Sequence, residues 1–169
     1  MNVHSPARVP TPRPVAHVWV LVGLVGLCVG VGALEGLMTR DAIRSWYAAL
    51  QQPAWTPPNA AFGPVWTTLF VLMGVAGWLV YRAPAAPARR RAWQLWWMQL
   101  LLNWAWTPLF FNARQVGVAL VVIVVLWCTI VAFVRVTWST NRTAALLFLP
   151  YLAWVGYASS LNAGILWLN

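Results

Sequence analysis

The stretch VGVALVVIVVLWCTIVAFV at residues 116–134 decides the fold, because none of its side chains is acidic or basic. Folded as an α-helix, it is long enough to cross the hydrocarbon core of a membrane, which is about 30 Å thick. Similar apolar runs occupy residues 15–37, 60–81, 92–113 and 143–168. Helices satisfy their own backbone hydrogen bonds in lipid, so the sequence predicts an all-α membrane protein with a five-transmembrane-helix bundle.

Composition supports this prediction and indicates the domain organisation. Of the 169 residues, 62% are hydrophobic and 8% are charged, so lipid is expected to replace water around most of the surface. Residues 15–169 are predicted to form one transmembrane domain, with the run at 15–37 retained and not cleaved as a signal peptide. Residues 1–14 contain four prolines and two arginines without periodicity, which predicts a disordered tail.

The net charge of +9 comes from eleven arginines in the tail and in the connections between the apolar runs. We therefore interpret them as topology signals and do not expect nucleic acid as a partner. Eight arginines fall on the N-terminal side of the predicted bundle, and Arg40, Arg44 and Arg114 fall on the other. In a cytoplasmic membrane this favours an inside N-terminus. For a bacterial source the inner membrane is favoured, with the outer membrane as the alternative.

Few side chains could perform acid, base or metal chemistry. The 2 histidines are too few for a metal cluster, and Glu35 with Asp41 makes no convincing acid/base pair. The sequence therefore predicts no metal site and no required cofactor. Glu35 is expected at headgroup depth, paired with Arg40 or Arg44, or else near the mouth of a pocket.

Several patterns predict which helix faces meet. Small residues permit close helix contacts, within the bundle or between protomers, at Gly26-x-x-x-Gly30 and Gly32-x-x-x-Gly36. One polar stripe of the third run is expected to face the interior, and it comprises Gln94, Gln99, Asn103 and Thr107. One face of the fifth run is shared by Tyr151, Trp154, Ala158 and Leu161. The fourth run is expected to face lipid, Cys28 and Cys128 to pack within the bundle, and Pro108 and Pro150 to bend their helices.

The chain contains fourteen tryptophans, far more than ordinary usage. Aromatic belts at the two headgroup levels account for those near the ends of the runs, which are Trp19, Trp78, Trp93, Trp138 and Trp167. Others lie further inside, namely Trp66, Trp104, Trp106, Trp127 and Trp154. Interior rings of this kind are explained equally by core packing and by a cavity for an aromatic ligand.

Several motifs occur in a fixed order along the chain. They are Trp46-Tyr47-x-x-Leu50-x-x-Pro53-x-Trp55-x-Pro57-Pro58, Phe62-Gly63-Pro64-Val65-Trp66-Thr67, Gln99-Leu-x-Leu-Asn103-Trp104-Ala105-Trp106-x-Pro108-x-Phe110-Phe111, Ala113-Arg114-Gln115, Leu149-Pro150-Tyr151-Leu152-Ala153-Trp154 and Leu161-Asn162. Together they resemble the tryptophan-rich sensory protein or translocator protein family, TspO/MBR, formerly called the peripheral benzodiazepine receptor. The resemblance extends from about Gly32 to the end of the sequence.

The resemblance implies a five-helix bundle, commonly a homodimer, whose pocket opens beneath the first connection. Such pockets accept porphyrins, haem-related tetrapyrroles, cholesterol-like lipids and benzodiazepine-type drugs, so the expected partners are such ligands, membrane lipids and a second copy. By motif position the pocket wall comprises Phe62, Gly63, Val65, Trp66, Asn103, Trp154, Ala158 and Leu161. A porphyrin such as protoporphyrin IX or haem would place its ring between Trp66 and Trp154 and its propionates near Arg40 or Arg44.

The sequence departs from the family pattern at three places, one of which is Leu34-Glu35-Gly36, where the first run aligns only with a gap. Gln52 stands where the family usually has a lysine, which removes a cation that would attract propionates. Residues 163–169 contain neither the tyrosine nor the basic residue of the vertebrate cholesterol motif, so cholesterol recognition through that motif is not expected.

Three functions remain open from the sequence. The first is binding, transport or sensing of tetrapyrroles or lipidic ligands. The second is light-dependent porphyrin degradation, reported for some bacterial relatives, with the matching tryptophans Trp66 and Trp154 as candidate catalytic residues. The third is a structural, lipid-organising bundle, which predicts no saturable ligand binding.

Overall fold

The computed structural model describes residues 14–169 and shows five long helices. These are α1 (Pro14–Ala42), α2 (Asn59–Arg82), α3 (Pro87–Thr107), α4 (Val116–Thr140) and α5 (Arg142–Leu168). Two π-helical turns, Ile43–Tyr47 and Pro108–Asn112, extend α1 and α3. No strand occurs in the described part of the chain, which is therefore all-α. The tail predicted at residues 1–14 lies outside the described residues, apart from Pro14.

Local sequence signals explain where the helices begin. Pro58, immediately before α2, has φ −56° and ψ 139°, an extended conformation that a helix cannot continue through. Pro87 is in the first turn of α3, where its missing N–H is not needed. The side chain of Asn141 accepts a hydrogen bond from the Ala144 backbone N–H at 3.1 Å and so caps α5.

Three helices extend beyond the apolar runs from which they were predicted. The first continues from residue 37 through Arg40 and Arg44 to Tyr47, and the fourth continues from residue 134 to Thr140. The third begins at Pro87 and not at residue 92. Arginine is a good helix former, so a charge marks the end of the apolar run and not the end of the helix.

Within residues 14–169, four helices are long and apolar enough to cross a membrane, namely the segments His17–Tyr47, Asn59–Arg82, Val116–Thr140 and Arg142–Leu168. The chain is therefore a multi-pass membrane protein. Around the bundle, α1 packs on α2, α2 on α5, α5 on α4 and α4 on α3. Helix α3 completes the ring of helices because it contacts α1. The π-helical extension of α3, Pro108–Asn112, also packs against α1. In the bundle interior the rings of Phe133 and Phe148 stack with centroids 4.0 Å apart.

A close backbone approach between two helices occurs at a glycine that the spacing on α1 did not indicate. A Cβ built on Gly74 of α2 would lie 2.6 Å from the Val25 Cα, so α1 and α2 touch backbone to backbone here. By contrast, Gly26, Gly30 and Gly36 have no heavy atom within 4 Å of a built Cβ. The prediction of contacts within the bundle is wrong for these three, whereas Gly32 does contact another helix, at Phe70. Contact of the open glycines with a second protomer stays a prediction.

Most predicted faces of α3, α4 and α5 are confirmed, with local exceptions. Gln99, Asn103 and Thr107 are buried, but Gln94 is exposed one turn after the arginines that begin α3. On α4 the exposed residues include Val118, Val121, Val124 and Val125, while Ile123, Leu126 and Ile130 are buried. Cys28 is buried as expected, whereas Cys128 is exposed, since it lies on the outer face of α4.

Candidate functional site

A cavity of about 360 Å³ lies between α1, α2, the end of α3 and α5. Its aromatic lining consists of Tyr47, Phe62, Trp66, Phe70, Trp106 and Phe111. Its α1 side consists of Val29, Gly32, Ala33, Glu35, Gly36 and Thr39, followed by Ile43. Asn59, Gly63, Thr67, Thr107 and Ala158 complete the wall. The volume and the mainly apolar lining are typical of a small-molecule binding site.

Trp66 and Trp154 form a wall between this cavity and an apolar groove on the outside of the bundle. Their ring centroids are 6.4 Å apart and their planes make an angle of 89°, so the edge of one ring meets the face of the other. Trp66 lines the cavity, whereas Trp154 lines the groove together with Val65. The two rings are already in contact and perpendicular, so a flat ligand cannot be stacked between them as expected from the resemblance.

The structure brings four of the predicted pocket residues into the cavity, which are Phe62, Gly63, Trp66 and Ala158. Val65 and Trp154 face the groove. Asn103 does not line the cavity, because its side-chain amide donates a hydrogen bond to the Tyr151 hydroxyl at 3.0 Å in the bundle interior. Leu161 is buried in the interior and lies outside the cavity lining as well. Arg40 and Arg44 are exposed beside the α1 side of the cavity.

Two of the tryptophans expected inside the bundle lie on its surface. Trp104 and Trp127 are 45% and 39% exposed, because they project from the outer faces of α3 and α4. The most deeply buried tryptophan is instead Trp96, whose Nε1 donates to the Met73 carbonyl at 2.9 Å. A Cβ on Gly77 would lie 2.6 Å from the Trp96 ring, so this glycine makes room for it. Trp96 therefore fastens α3 to α2 and does not face the cavity.

The first connection, residues 48–58, is fastened to the helices at several points. The side chain of Asn169 pairs with the backbone of Gln51, accepting from its N–H and donating to its carbonyl, each at 3.0 Å. The Tyr157 hydroxyl donates to the Trp55 carbonyl at 2.6 Å, and Gln52 Nε2 donates to the Tyr47 carbonyl at 3.1 Å. These bonds fix the connection next to Tyr47, which lines the cavity.

The turn between α3 and α4 adds a further contact to the same end of the bundle. Arg114 in this turn has φ 56°, a left-handed conformation that is unfavourable for a residue with a Cβ. Its guanidinium lies over the Trp46 ring, 5.8 Å from the ring centroid. A cation–π contact of this kind offsets part of the backbone strain. The turn therefore helps to hold the π-helical end of α1.

Glu35 lies on the cavity side of α1. Its Oε1 is buried and has no hydrogen-bond partner among residues 14–169. The ion pair with Arg40 or Arg44 that the sequence favoured is therefore not formed by this oxygen, since both arginines project outward into exposed positions. The alternative expectation, a position at the pocket, is the one observed.

Comparison with known proteins gives the family. The sequence pattern that defines the TspO/MBR family matches residues 24–168. The chain belongs to the TspO/MBR family. It is 38% identical over 156 residues to the tryptophan-rich protein TspO of Chlorobaculum tepidum, an alignment that covers 86% of this chain and 92% of that protein. It is 40% identical over 119 residues to the human translocator protein, covering 69% of this chain and 70% of the relative. It is also 32% identical over 143 residues to protein CrtK of Rhodobacter capsulatus, covering 84% and 88% respectively.

The motifs that resemble TspO/MBR proteins meet at one end of the bundle. Those of the first connection and the start of α2 contribute Tyr47, Phe62 and Trp66 to the cavity, and the third-helix motif contributes Trp106 and Phe111. Gln52, at the position where the resemblance predicts a lysine, donates to the Tyr47 carbonyl and does not line the cavity. At this position the substitution removes a cation but keeps a hydrogen-bond donor.

Apart from Glu35, the α1 side of the cavity was not predicted from the sequence of this TspO/MBR chain. Val29, Gly32, Gly36, Thr39 and Ile43 follow one another at intervals of three or four residues, which places them on one helix face. That periodicity was available in the sequence. It carried no signal of a cavity because Gly and Val are equally common at helix contacts in lipid.

Proposed function

We propose that this protein binds porphyrins, related tetrapyrroles or lipidic ligands of similar shape in the cavity, as part of a transport or sensory role. The observation that carries the proposal is the aromatic lining of an otherwise mainly apolar space, to which Phe62, Trp66, Phe70, Trp106 and Phe111 contribute. Each favourable ring–ring contact with a conjugated ligand adds about 0.5–1.5 kcal/mol beyond the area that it buries. A flat apolar ligand is therefore the class that this lining favours.

In this proposal the ligand lies against the cavity face of Trp66, and Trp154 supports that ring from behind. The propionates of a porphyrin would extend towards Arg40 and Arg44, whose exposed side chains flank Thr39 and Ile43 of the cavity wall. Guanidinium groups bind carboxylates in bidentate geometry, which favours this orientation. On α5 the proposed ligand contact is Ala158, which lines the cavity, whereas Val65, Asn103 and Leu161 lie outside the cavity lining and are not part of the proposed contact surface.

The test is a titration of purified protein in detergent with protoporphyrin IX in the dark, followed by tryptophan fluorescence. Wild type is expected to show saturable quenching, and Trp66→Ala should weaken the affinity by up to about tenfold through lost stacking. Trp104→Ala is the matched control, because Trp104 projects from the outer face of α3. Absence of saturable binding in folded wild-type protein would refute the proposal and favour a structural, lipid-organising role.

We propose light-dependent porphyrin degradation as a second candidate activity. The contact between Trp66 and Trp154 favours it: a light-excited porphyrin that takes an electron from Trp66 would leave an oxidised ring, which Trp154 can reduce across the adjoining rings, with dioxygen as the final electron acceptor. Illumination of the complex under air should then bleach the porphyrin absorbance in wild type and much more slowly in Trp154→Phe, which leaves the cavity lining intact. Equal bleaching rates in the two proteins would refute this activity.

We also infer that α3 crosses the membrane, which gives five spans. The connections at residues 83–86 and 113–115 are short, so α3 must carry the chain back across the thickness spanned by α2 and α4. Helix α3 and its π-helical extension contain 21 and 5 residues, about 39 Å of helix at 1.5 Å per residue. Impermeant thiol reagents should label Ala85→Cys and Ala113→Cys from opposite sides of sealed vesicles; labelling from one side would refute the fifth span.

The remaining inferences concern orientation and assembly. We propose an inside N-terminus in a cytoplasmic membrane, because the arginine-rich ends of the helices would then face the cytoplasm. A second copy of the chain is the proposed protein partner, and the face of α1 that carries Gly23, Gly26 and Gly30 offers space for close helix approach. Cross-linking of Gly26→Cys between protomers in membranes would test this face, with Val121→Cys on α4 as the control.

A further inference from the structure

Glu35 makes one side of the cavity chemically unlike the rest. Among the described residues that line the cavity, it is the single acidic or basic side chain. Its Oε1 is buried and lacks a hydrogen-bond partner within residues 14–169. A buried acceptor without a partner is costly, so an oxygen in this condition at the wall of a cavity points to a donor brought by a ligand.

The hydroxyl groups nearby do not remove this requirement. Thr39 Oγ1 donates to the backbone carbonyl of Glu35 at 2.8 Å, and Thr67 Oγ1 donates to the Gly63 carbonyl at 2.9 Å. Both protons are therefore committed to their own helices. The Thr107 side chain is a hydrogen-bond partner of the Glu35 carboxyl, but Oε1 itself has no partner among the described residues, so this oxygen keeps its accepting capacity. The exposed arginines Arg40 and Arg44 leave the carboxyl without a neutralising cation at Oε1.

We propose that Glu35 accepts a hydrogen bond from an N–H group of the ligand, so that the cavity selects flat apolar ring systems that carry a basic amine. This inference rests on the proposed function, because it takes the aromatic cavity as the ligand site. An ammonium group provides both a donor and the missing positive charge, and a charge-assisted hydrogen bond is about twice as strong as a neutral one. In an apolar cavity, where water does not screen the charge, the difference is large.

The same carboxyl determines how an anionic ligand is oriented. A ligand carboxylate placed against Glu35 would bring two like charges together without a cation between them, or would require one of the two carboxyl groups to be protonated. A dicarboxylate porphyrin is therefore turned with its propionates away from Glu35 and towards Arg40 and Arg44. Glu35 thus acts as a specificity residue: it attracts amines and excludes carboxylates from its part of the cavity.

The experiment compares three probes that share one macrocycle: protoporphyrin IX, its dimethyl ester, and its diamide with ethylenediamine, which carries two primary amines. Each is titrated into wild type, Glu35→Gln and Asp41→Asn. Glutamine keeps the size of the side chain and removes its charge. Asp41→Asn is the matched control, because Asp41 is the other acid of α1, is exposed and does not line the cavity.

We expect Glu35→Gln to weaken the diamine by about tenfold or more, to leave the ester within about twofold, and to strengthen protoporphyrin IX by a few fold. Asp41→Asn should leave all three affinities within about twofold. An unchanged diamine affinity in Glu35→Gln would overturn the inference. So would an equal loss for all three probes, because that result means that Glu35 supports the structure and does not recognise charge.

The ester separates this inference from the proposed function. If the ester binds wild type saturably but no probe responds to Glu35→Gln in the expected sense, the inference fails and tetrapyrrole binding stands. If the ester and protoporphyrin IX do not bind wild type while the diamine binds and depends on Glu35, the proposed binding of porphyrins without an amine fails and amine recognition stands. If none of the three binds folded wild type, both are overturned.

Discussion

The two sides of this bundle are built differently. Helices α4 and α5 meet through fully buried rings, with Phe133 and Phe148 stacked at 4.0 Å. In the most apolar segment of each helix, 6% of the residues are buried in α1, against 39% in α5. The cavity lies on this opposite side, between α1 and its neighbours. In lipid, helices associate through packing and hydrogen bonds and not through a hydrophobic force between them. The tightly packed side should therefore supply stability, and the loosely packed side can supply binding.

The largest change in the free energy of unfolding is expected from a substitution on the tightly packed side. Phe148→Ala should destabilise the protein by about 3 kcal/mol, because the ring fills space between α4 and α5 that neighbouring side chains cannot reoccupy. Phe62→Ala on the cavity side should cost much less and should weaken porphyrin binding instead. Unfolding with sodium dodecyl sulfate in mixed micelles measures both, with Val125→Ala, 46% exposed on α4, as the control. Equal losses for Phe148→Ala and Phe62→Ala would contradict the comparison.

A second prediction concerns two glycine substitutions that should have opposite signs. Gly74→Ala should destabilise by about 1–3 kcal/mol, since the new Cβ meets the backbone of Val25, which cannot move aside. Gly23→Ala on α1 meets nothing within 4 Å and should stabilise by up to about 1 kcal/mol through helix propensity. The same unfolding measurement tests both substitutions. If Gly23→Ala lowered the free energy of unfolding as much as Gly74→Ala, the result would show that α1 is covered on its outer face.

The sequence was sufficient to locate the five helices, and half of the eight residues that it assigned to the pocket wall do line the cavity. Apolar runs located all five helices, and the motifs located Phe62, Gly63, Trp66 and Ala158 at the cavity. Helix ends were missed because an arginine ends an apolar run without ending the helix. Asn103 and Trp154 were placed in the pocket, but they turn to Tyr151 and to the groove. Which side chain faces which neighbour depends on the rotation of packed helices, and residue spacing within one helix does not contain that information.

A third prediction sharpens the comparison at the first connection. Asn169→Ala should remove the two hydrogen bonds to Gln51, each worth about 1 kcal/mol, together with the bond to the Ile165 carbonyl, and so release the connection from α5. Gln51→Ala should have little effect, because Gln51 takes part only through its backbone groups. Hydrogen exchange over residues 49–56 should rise several-fold in Asn169→Ala and stay unchanged in Gln51→Ala. Equal exchange in both variants would mean that other contacts hold the connection.

The smallest effect is expected for the polar contact between α3 and α5. Tyr151→Phe removes the hydroxyl that accepts from Asn103 and should cost about 0.6 kcal/mol, the average for such bonds in membranes. Porphyrin affinity should stay within about twofold, because neither polar group faces the cavity. If Tyr151→Phe weakened porphyrin binding as much as Trp66→Ala does, the result would instead indicate that Asn103 contacts the ligand.

The wall between the cavity and the groove also bears on whether a ligand enters the cavity from the lipid or from water. The groove is bounded by Pro64, Leu72 and Ala153, on flanks of α2 and α5 that are apolar and partly exposed, so acyl chains and not water fill it in a bilayer. The adjoining rings of Trp66, which lines the cavity, and Trp154, which lines the groove, then lie between those chains and the cavity. A ligand dissolved in the bilayer can reach the cavity by the turning of side chains, without passing the headgroups. Its occupancy should therefore follow its mole fraction in the lipid, and an affinity expressed as an aqueous concentration will change with the amount of lipid or detergent present.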